Sequence, residues 1–219
     1  SRDLPDGRDL NRCFPGTKKG SIGSRIAYDL MKHILPVIDF GVDFHTGGAK
    51  INNFPQLRCV FNFPANIALA ERFSAPLIID SVYRDGTFRK EASKKNKPIL
   101  VYEGGESMRF DYVAINEGVN GCLRLMNSYG MIDFDVPQNP SVKIKKNTWI
   151  RANSSGLFHM SVSNDAPIAE GDLLGIIFDP FGHGEEKIVS PVNGYIVGIN
   201  NQPVVNQGDA LIHIGMNEE

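Results

Sequence analysis

Strand-like and helix-like segments alternate along residues 1–137, and this alternation constrains the fold more than any other feature. Strands are predicted at residues 37–44, 57–63, 77–80 and 98–102. Helices are predicted at residues 21–34, 65–73, 88–96 and 111–129. Because such alternation is typical of βαβ units, it predicts an α/β domain with a mostly parallel or mixed sheet covered by helices.

The pattern changes after about Pro137, where glycines and short β-rich runs replace the helical pattern. An internal repeat lies in this part: a small-Gly-apolar-apolar motif at 155–158 and 193–196 is followed each time by a Pro-apolar segment and Gly-Asp-x-Leu. Two such half-units resemble the barrel-sandwich hybrid of biotinyl and lipoyl domains. We therefore predict two domains, an α/β domain at 1–137 and an accessory all-β domain at 138–219.

Biotinyl and lipoyl carriers place a modified lysine in the hairpin between their halves. The corresponding residue here is Lys187, between Glu186 and Ile188, and this context does not match a carrier motif. We expect an accessory domain that shapes a site or packs in a homo-oligomer.

Composition excludes several classes of protein. The chain has 219 residues, a net charge of −2 and 42% hydrophobic residues, which gives no reason to expect nucleic acid or an anionic membrane as a partner. No apolar run approaches the roughly 20 residues that span a bilayer. Three widely spaced cysteines fit free thiols in a reducing compartment, the cytoplasm. The first residue is not Met, and we expect the chain to start within a domain.

His45 follows an apolar-rich run and precedes Thr46, Gly47 and Gly48. Ligands bind at the carboxyl ends of strands in open α/β sheets, and imidazole is the commonest zinc ligand. Asp43 is a candidate hydrogen-bond acceptor behind the ring. We therefore predict that His45 is a zinc ligand. The alternatives are that His45 has a structural role and that Asp43 is a surface carboxylate.

Two other segments carry candidate residues. Asn11 and Arg12 suit an acidic or amino-acid-like substrate, because Arg binds carboxylates with two hydrogen bonds; an exposed polar loop is the alternative. Glu103 follows the strand predicted at 98–102 and precedes two glycines, a good position for a general base. Glu106 is a second candidate for the general base; alternatively, it is an acid at a helix N-terminus, where the helix dipole stabilises its charge.

Together, Asp-Leu-Asn-Arg-x-Phe-Pro-Gly, Asp-Phe-His-Thr and a strand leading into Glu-x-Gly resemble the succinylglutamate desuccinylase/aspartoacylase family of zinc hydrolases, which have a carboxypeptidase-like fold. The resemblance implies that Asn11 and Arg12 hold the substrate carboxylate and that His45 is the third zinc ligand. It implies that Glu103 activates water and protonates the leaving nitrogen. The implied reaction is hydrolysis of an N-acyl amino acid or a related small amide, with Zn²⁺ as cofactor; the acyl group and the amine are not readable from the sequence.

The chain departs from the family motif at its beginning. The family's first two zinc ligands come from a His-x-x-Glu motif before the Asn-Arg pair, and none precedes Asn11 here. The one His-x-x-Glu, at His183 and Glu186, lies between the two β half-units, so we reject it as a metal motif. Arg2 and Arg8 are candidates for the family's oxyanion arginine. A carboxypeptidase-like peptidase and a non-catalytic binding protein or inactive fragment remain the alternatives.

Overall fold

The computed structural model describes residues 3–48, 50–164 and 166–216. The helices are α1 (Ile22–Asp29), α2 (Pro64–Phe73), α3 (Phe88–Ser93) and α4 (Tyr112–Ser128), and a short 3-10 helix spans Leu10–Arg12. The strands are β1 (Gly41–Gly47), β2 (Ile51–Cys59), β3 (Leu77–Asp80), β4 (Ile99–Glu106), β5 (Val142–Ile144), β6 (Lys146–Arg151), β7 (Gly156–Met160), β8 (Pro167–Ile168), β9 (Leu173–Phe178), β10 (Glu185–Val189), β11 (Gly194–Asn200), β12 (Val204–Val205) and β13 (Ala210–Met216). The sequence therefore predicts the order of the elements in the first part of the chain correctly.

The helix starts follow from local chemistry. Ser21 caps α1 by accepting a hydrogen bond from Ser24 N–H, and α1 continues as a π-helical turn over Leu30–Ile34. Asp111 caps α4 in the same way through Ala114 N–H. Helical periodicity predicts an apolar face of α4 made by Val113, Val119, Leu123 and Met126. This prediction is wrong, because Val113 and Val119 are more than half exposed.

The bounds of three strands also differ from the prediction. β1 begins at Gly41 rather than at residue 37 and continues through Gly47; β2 begins at Ile51, and β4 continues to Glu106. The added residues include Gly, Asn and His, which have weak strand preference. Pairing with neighbouring strands decides such positions, and sequence preference alone does not.

The largest sheet is mixed. Its strand order is β1-β4-β2-β11-β13-β6, with β3, β5 and β8 paired off this path. β3 and β5 are parallel, whereas β2–β11, β11–β13 and β13–β6 are antiparallel. A second sheet has the order β10-β9-β7-β12. The predicted class, an α/β fold with a mixed sheet and a C-terminal β region, is confirmed.

The internal repeat is visible in how the short strands pair. β8, from the first half-unit, pairs with β11 of the second, and β12, from the second, pairs with β7 of the first. The two half-units thus exchange equivalent strands and share one core, which includes Phe158, Leu174, Ile196 and Leu211. This reciprocal pairing is the pseudo-twofold arrangement that the repeat predicts.

Two compact units divide the chain by contact. The first contains Ser1–Asp43, Cys59–Leu69 and Ser81–Val101, and the second contains Phe44–Arg58, Ala70–Asp80 and Tyr102–Glu219. The predicted boundary between residues 137 and 138 is not tested by this division and stays a prediction. None of the helices in the described part of the chain has the length and apolar character needed to cross a bilayer.

Candidate active site

His45 and Glu103 lie on neighbouring strands, β1 and β4. Gly41 N–H donates to Pro98 C=O (3.1 Å) near the start of this pair, and Ser107 N–H donates to Gly47 C=O (2.9 Å) near its end. Since the two bonds join the strands in the same order, the strands run parallel and His45 is level with Glu103 to within about one residue. Both residues lie inside strands, near the carboxyl ends, whereas the sequence predicts them directly after strands that end at residues 44 and 102.

Two side chains of β2 hold the Glu103 carboxylate. Asn53 Nδ2 donates to Oε2 at 2.8 Å, and Arg58 Nε lies 3.4 Å from Oε1. The Glu103 side chain is 18% exposed, so it is largely desolvated and still open to a small molecule. A carboxylate in this setting can exchange a proton with a substrate or a water.

Glu106 is a structural anchor. Its side chain is 7% exposed, and its Oε2 accepts a hydrogen bond from Asn201 Nδ2 (2.8 Å) and lies 3.4 Å from Arg109 Nε. The alternative of a helix N-terminal acid is wrong for this residue, because Glu106 is the last residue of β4 and α4 begins at Tyr112. Of the two acids, Glu103 is the better candidate for proton transfer.

His45 is half-buried on β1, and Asp43 precedes it by two residues on the same strand. Asp43 belongs to the first compact unit and His45 to the second. The role of Asp43 behind the imidazole therefore stays a prediction.

Asn11 and Arg12 end the 3-10 helix, which Asp9 caps by accepting from Asn11 N–H (2.9 Å). Asn11 Oδ1 accepts from Phe88 N–H (3.1 Å), which fixes the loop to the first turn of α3. No described residue accepts from Asn11 Nδ2. Arg12 Nη1 donates to the Asn11 carbonyl oxygen (2.5 Å), and the Arg12 side chain is 42% exposed. The pair thus offers an amide donor and an accessible cation, which is what binding a carboxylate requires.

A family model for the succinylglutamate desuccinylase/aspartoacylase catalytic domain matches residues 1–129. The chain belongs to this family. Among relatives, the N-alpha-acetyl-L-2,4-diaminobutyric acid deacetylase of Halomonas elongata is 24% identical over 233 residues, covering 94% of this chain and 64% of the relative. The chain thus spans less than two thirds of the length of that enzyme.

Solved structures of similar proteins show the same fold. A succinylglutamate desuccinylase from Silicibacter sp. has a TM-score of 0.86 at 22% identity, over 100% of this chain and 70% of that chain. The apo structure of the ectoine utilization protein EutE (DoeB) from Ruegeria pomeroyi has a TM-score of 0.84 at 22% identity, over 96% of this chain and 70% of that chain.

The metal implied by membership of the succinylglutamate desuccinylase/aspartoacylase family needs more ligands than these residues offer. A catalytic zinc takes about three protein ligands. Among the described residues, no group of three or more His, Cys, Asp or Glu side chains is placed to hold a metal ion. His183 lies 3.9 Å from Asp179, and Glu186 accepts a hydrogen bond from Ser154, so neither points to a metal. His45 supplies one candidate ligand. Arg2 lies outside the described residues, and Arg8 is exposed.

An apolar cavity of about 450 Å³ lies between β1, β4 and α4. Apolar residues such as Phe44, Tyr102 and Val119 line it together with His45 and Glu106, and Glu103 does not. Because neighbouring residues of a strand alternate between faces, Glu103 points away from the face that Tyr102 lines.

Sequence reasoning missed Asn53 and Arg58, the two partners of Glu103. Both lie on β2, whose predicted start at residue 57 was too late to include Asn53. Arg58 lay inside the predicted strand, but a strand pattern does not show which neighbour its side chain faces. A predicted start before residue 53 would have placed Asn53 on this strand, and the sequence offers no other signal for the two contacts.

Proposed function

We propose that this chain belongs to an enzyme that hydrolyses the amide bond of an N-acyl amino acid or a related small amide. The observation that carries the proposal is the Glu103 carboxylate, held by β2 on the strand beside His45 in a member of the succinylglutamate desuccinylase/aspartoacylase family. The Halomonas elongata relative, an N-acetyl amino acid deacetylase by name, supports the same bond type.

Glu103 is the general base in this proposal. Its carboxylate takes a proton from the attacking water and gives it to the leaving nitrogen, so that the amine leaves neutral. Desolvation favours this role, since few waters compete for the carboxylate oxygens. The cofactor in the proposal is Zn²⁺: His45 would be one of its ligands, and the metal would supply polarisation of the carbonyl and a lower pKa of bound water.

Asn11 and Arg12 bind the substrate carboxylate in this proposal. The exposed guanidinium of Arg12 supplies the charge, and Asn11 Nδ2 supplies a second donor beside it. The substrate is therefore an amide that carries a carboxylate. The three free cysteines, Cys13, Cys59 and Cys122, support a cytoplasmic location.

The test is amine release by the full-length protein from a panel of N-acetyl and N-succinyl amino acids, with short peptides as a second panel. We expect release from the first panel, and we expect Glu103→Gln to lower kcat by about 10²- to 10⁴-fold because the base is lost. Arg12→Met is expected to raise KM with a smaller change in kcat, since the carboxylate contact is present before and during reaction.

Lys143→Met is the control, because Lys143 pairs with Glu71 at an exposed site away from these residues. Release from peptides alone would assign the protein to the peptidases. The absence of release from both panels would overturn the enzyme proposal, and full turnover in Glu103→Gln would overturn the role of Glu103.

A further inference from the structure

Both oxygens of the Glu103 carboxylate have a partner on β2. Asn53 is 5% exposed and donates through Nδ2 to Oε2 at 2.8 Å. Arg58 is 27% exposed in its side chain, and its Nε lies 3.4 Å from Oε1. The first contact is a hydrogen bond of ordinary length, and the second is an ion pair without hydrogen-bond alignment.

The charge of Arg58 acts on His213 as well as on Glu103. Burial, together with the Arg58 charge, lowers the pKa of His213 to about 4. His213 Nε2 is bonded to Asn147 Oδ1 (2.9 Å), and the ring is stacked on Trp149. The neutral imidazole does not repel the guanidinium. In the described part of the chain, Glu103 is the one carboxylate with which Arg58 forms an ion pair.

We propose that Asn53 and Arg58 are positioning residues, which fix the plane of the Glu103 carboxylate for proton transfer. This inference rests on the proposed function, because it gives Asn53 and Arg58 a role in the same reaction. The terminal torsion of a Glu side chain has a broad, roughly two-fold energy profile, so an unsupported carboxylate rotates easily. A donor on one oxygen and a cation beside the other restrict this rotation and leave one lone pair of each oxygen for the substrate side.

Positioning groups act on the chemical step more than on binding. Misplacement of a reacting group by about 1 Å can cost about 10²-fold in rate. For the full-length protein we expect Asn53→Ala and Arg58→Met each to lower kcat by about 10- to 100-fold, with less than about a threefold change in KM. Arg58→Lys keeps the charge and is expected to recover at least half of the loss on a logarithmic scale.

A double-mutant cycle separates positioning from a general structural effect. In a Glu103→Gln background, Arg58→Met is expected to change the residual kcat by less than about threefold, because the group that it positions is already absent. Lys143→Met is the matched control, a removed cation at an exposed ion pair, and it is expected to leave kcat unchanged in both backgrounds. An equal loss of kcat from Arg58→Met with and without Glu103 would overturn the proposal.

Urea unfolding of the same four proteins of the cycle keeps the inference testable if no amide is hydrolysed. A lack of amine release by the wild type, together with coupled effects of Arg58 and Glu103 on the unfolding midpoint, would mean that the pair is structural only, and the positioning role would fall with the proposed function. If the enzyme is active and the effects of Arg58→Met and Glu103→Gln are independent of each other in both the unfolding midpoint and kcat, the positioning role is overturned and the proposed function is not. Coupled kcat values in the active enzyme would support it.

Discussion

At the scale of the residue, the surroundings of the buried His213 imidazole favour its neutral form over its charged form. It is 2% exposed, its Nε2 is bonded to Asn147 Oδ1, and its Nδ1 has no hydrogen-bond partner. Because the Asn147 oxygen only accepts, Nε2 carries the proton in the neutral ring. A second proton would sit on a buried Nδ1 without an acceptor, near the Arg58 charge, and this explains why the pKa falls to about 4.

The stability of the protein should therefore fall in acid through this residue. In the unfolded chain His213 titrates near its ordinary pKa of about 6.5, whereas in the folded protein its pKa is about 4. Between these two pH values the unfolded state binds a proton and the folded state does not, so a fall in pH favours unfolding. The free energy of unfolding is expected to drop by about 2 kcal/mol between pH 6.5 and pH 5 from this group. Urea unfolding at pH 7 and pH 5 measures the drop, and His213→Gln, which does not titrate, should lose about 2 kcal/mol less than the wild type.

The same substitution at exposed His159 is the control, and it is expected to keep the pH dependence of the wild type. Identical pH dependence in wild type and His213→Gln would contradict the prediction.

Single residues also mark the limit of what the sequence predicts for the candidate site. Glu103 and His45 can be chosen as candidates from the sequence, because each follows an apolar run, a local property of the chain. Asn53 and Arg58 are not, since their contact with Glu103 depends on which strand lies beside β4 and in what register. Residue type shows what a side chain can do, whereas the pairing of strands decides what it meets.

At the scale of the element, α4 has the span that its sequence predicts and a different buried face. Its buried residues include Ala114, Gly118, Gly121 and Leu125. A Cβ built on Gly121 would lie 2.1 Å from Cε1 of Phe73, so the absence of a side chain there makes room for the ring. Periodicity of large apolar residues could not reveal a face made from small ones, because small residues bury their surface by close approach.

Gly121→Ala tests this packing. Alanine forms helices better than glycine by about 1 kcal/mol, so a solvent-facing site would gain stability. At this site we expect a net loss of about 1–3 kcal/mol in the free energy of unfolding, because the methyl group must displace the Phe73 ring or the helix. Asn116→Ala on the exposed face of α4 is the control, with an expected change within about 0.5 kcal/mol. An increase in stability for Gly121→Ala, measured by urea unfolding, would show that the contact is not tight.

At the scale of the whole molecule, the order of elements follows from the sequence, while one long-range pairing does not. β11, far along the chain, pairs antiparallel with β2 through Gly198 and Asn53. A Cβ on Gly198 would lie 2.7 Å from Asn53 Oδ1, so glycine allows the close approach. The internal repeat indicates that the two half-units are equivalent, because each carries the same motif. It does not indicate that a strand of the second half-unit pairs with β2, which lies outside the repeat.

The repeat itself makes a symmetric prediction about stability. In the first half-unit Ala169 N–H donates to Asp172 Oδ2 (2.7 Å), and in the second Asn206 N–H donates to Asp209 Oδ2 (2.8 Å). A glycine with left-handed φ precedes each aspartate, at +89° and +90°. The two turns are therefore equivalent, and each aspartate replaces a backbone acceptor in the same way.

Asp172→Ala and Asp209→Ala should lower the free energy of unfolding by similar amounts, about 1 kcal/mol each, because each removes the backbone hydrogen bond of its turn; the further Asn206 Nδ2–Asp209 Oδ2 contact is long, at 3.5 Å. Asp→Asn at either position keeps a side-chain oxygen acceptor and should retain more than half of that stability. Asp133→Ala, at an exposed position before the repeat, is the control, with an expected change within about 0.5 kcal/mol. Urea unfolding measures all five variants. A large loss of stability at one aspartate and none at the other would contradict the prediction. It would mean that the two turns have the same sequence pattern but contribute unequally to the free energy of unfolding.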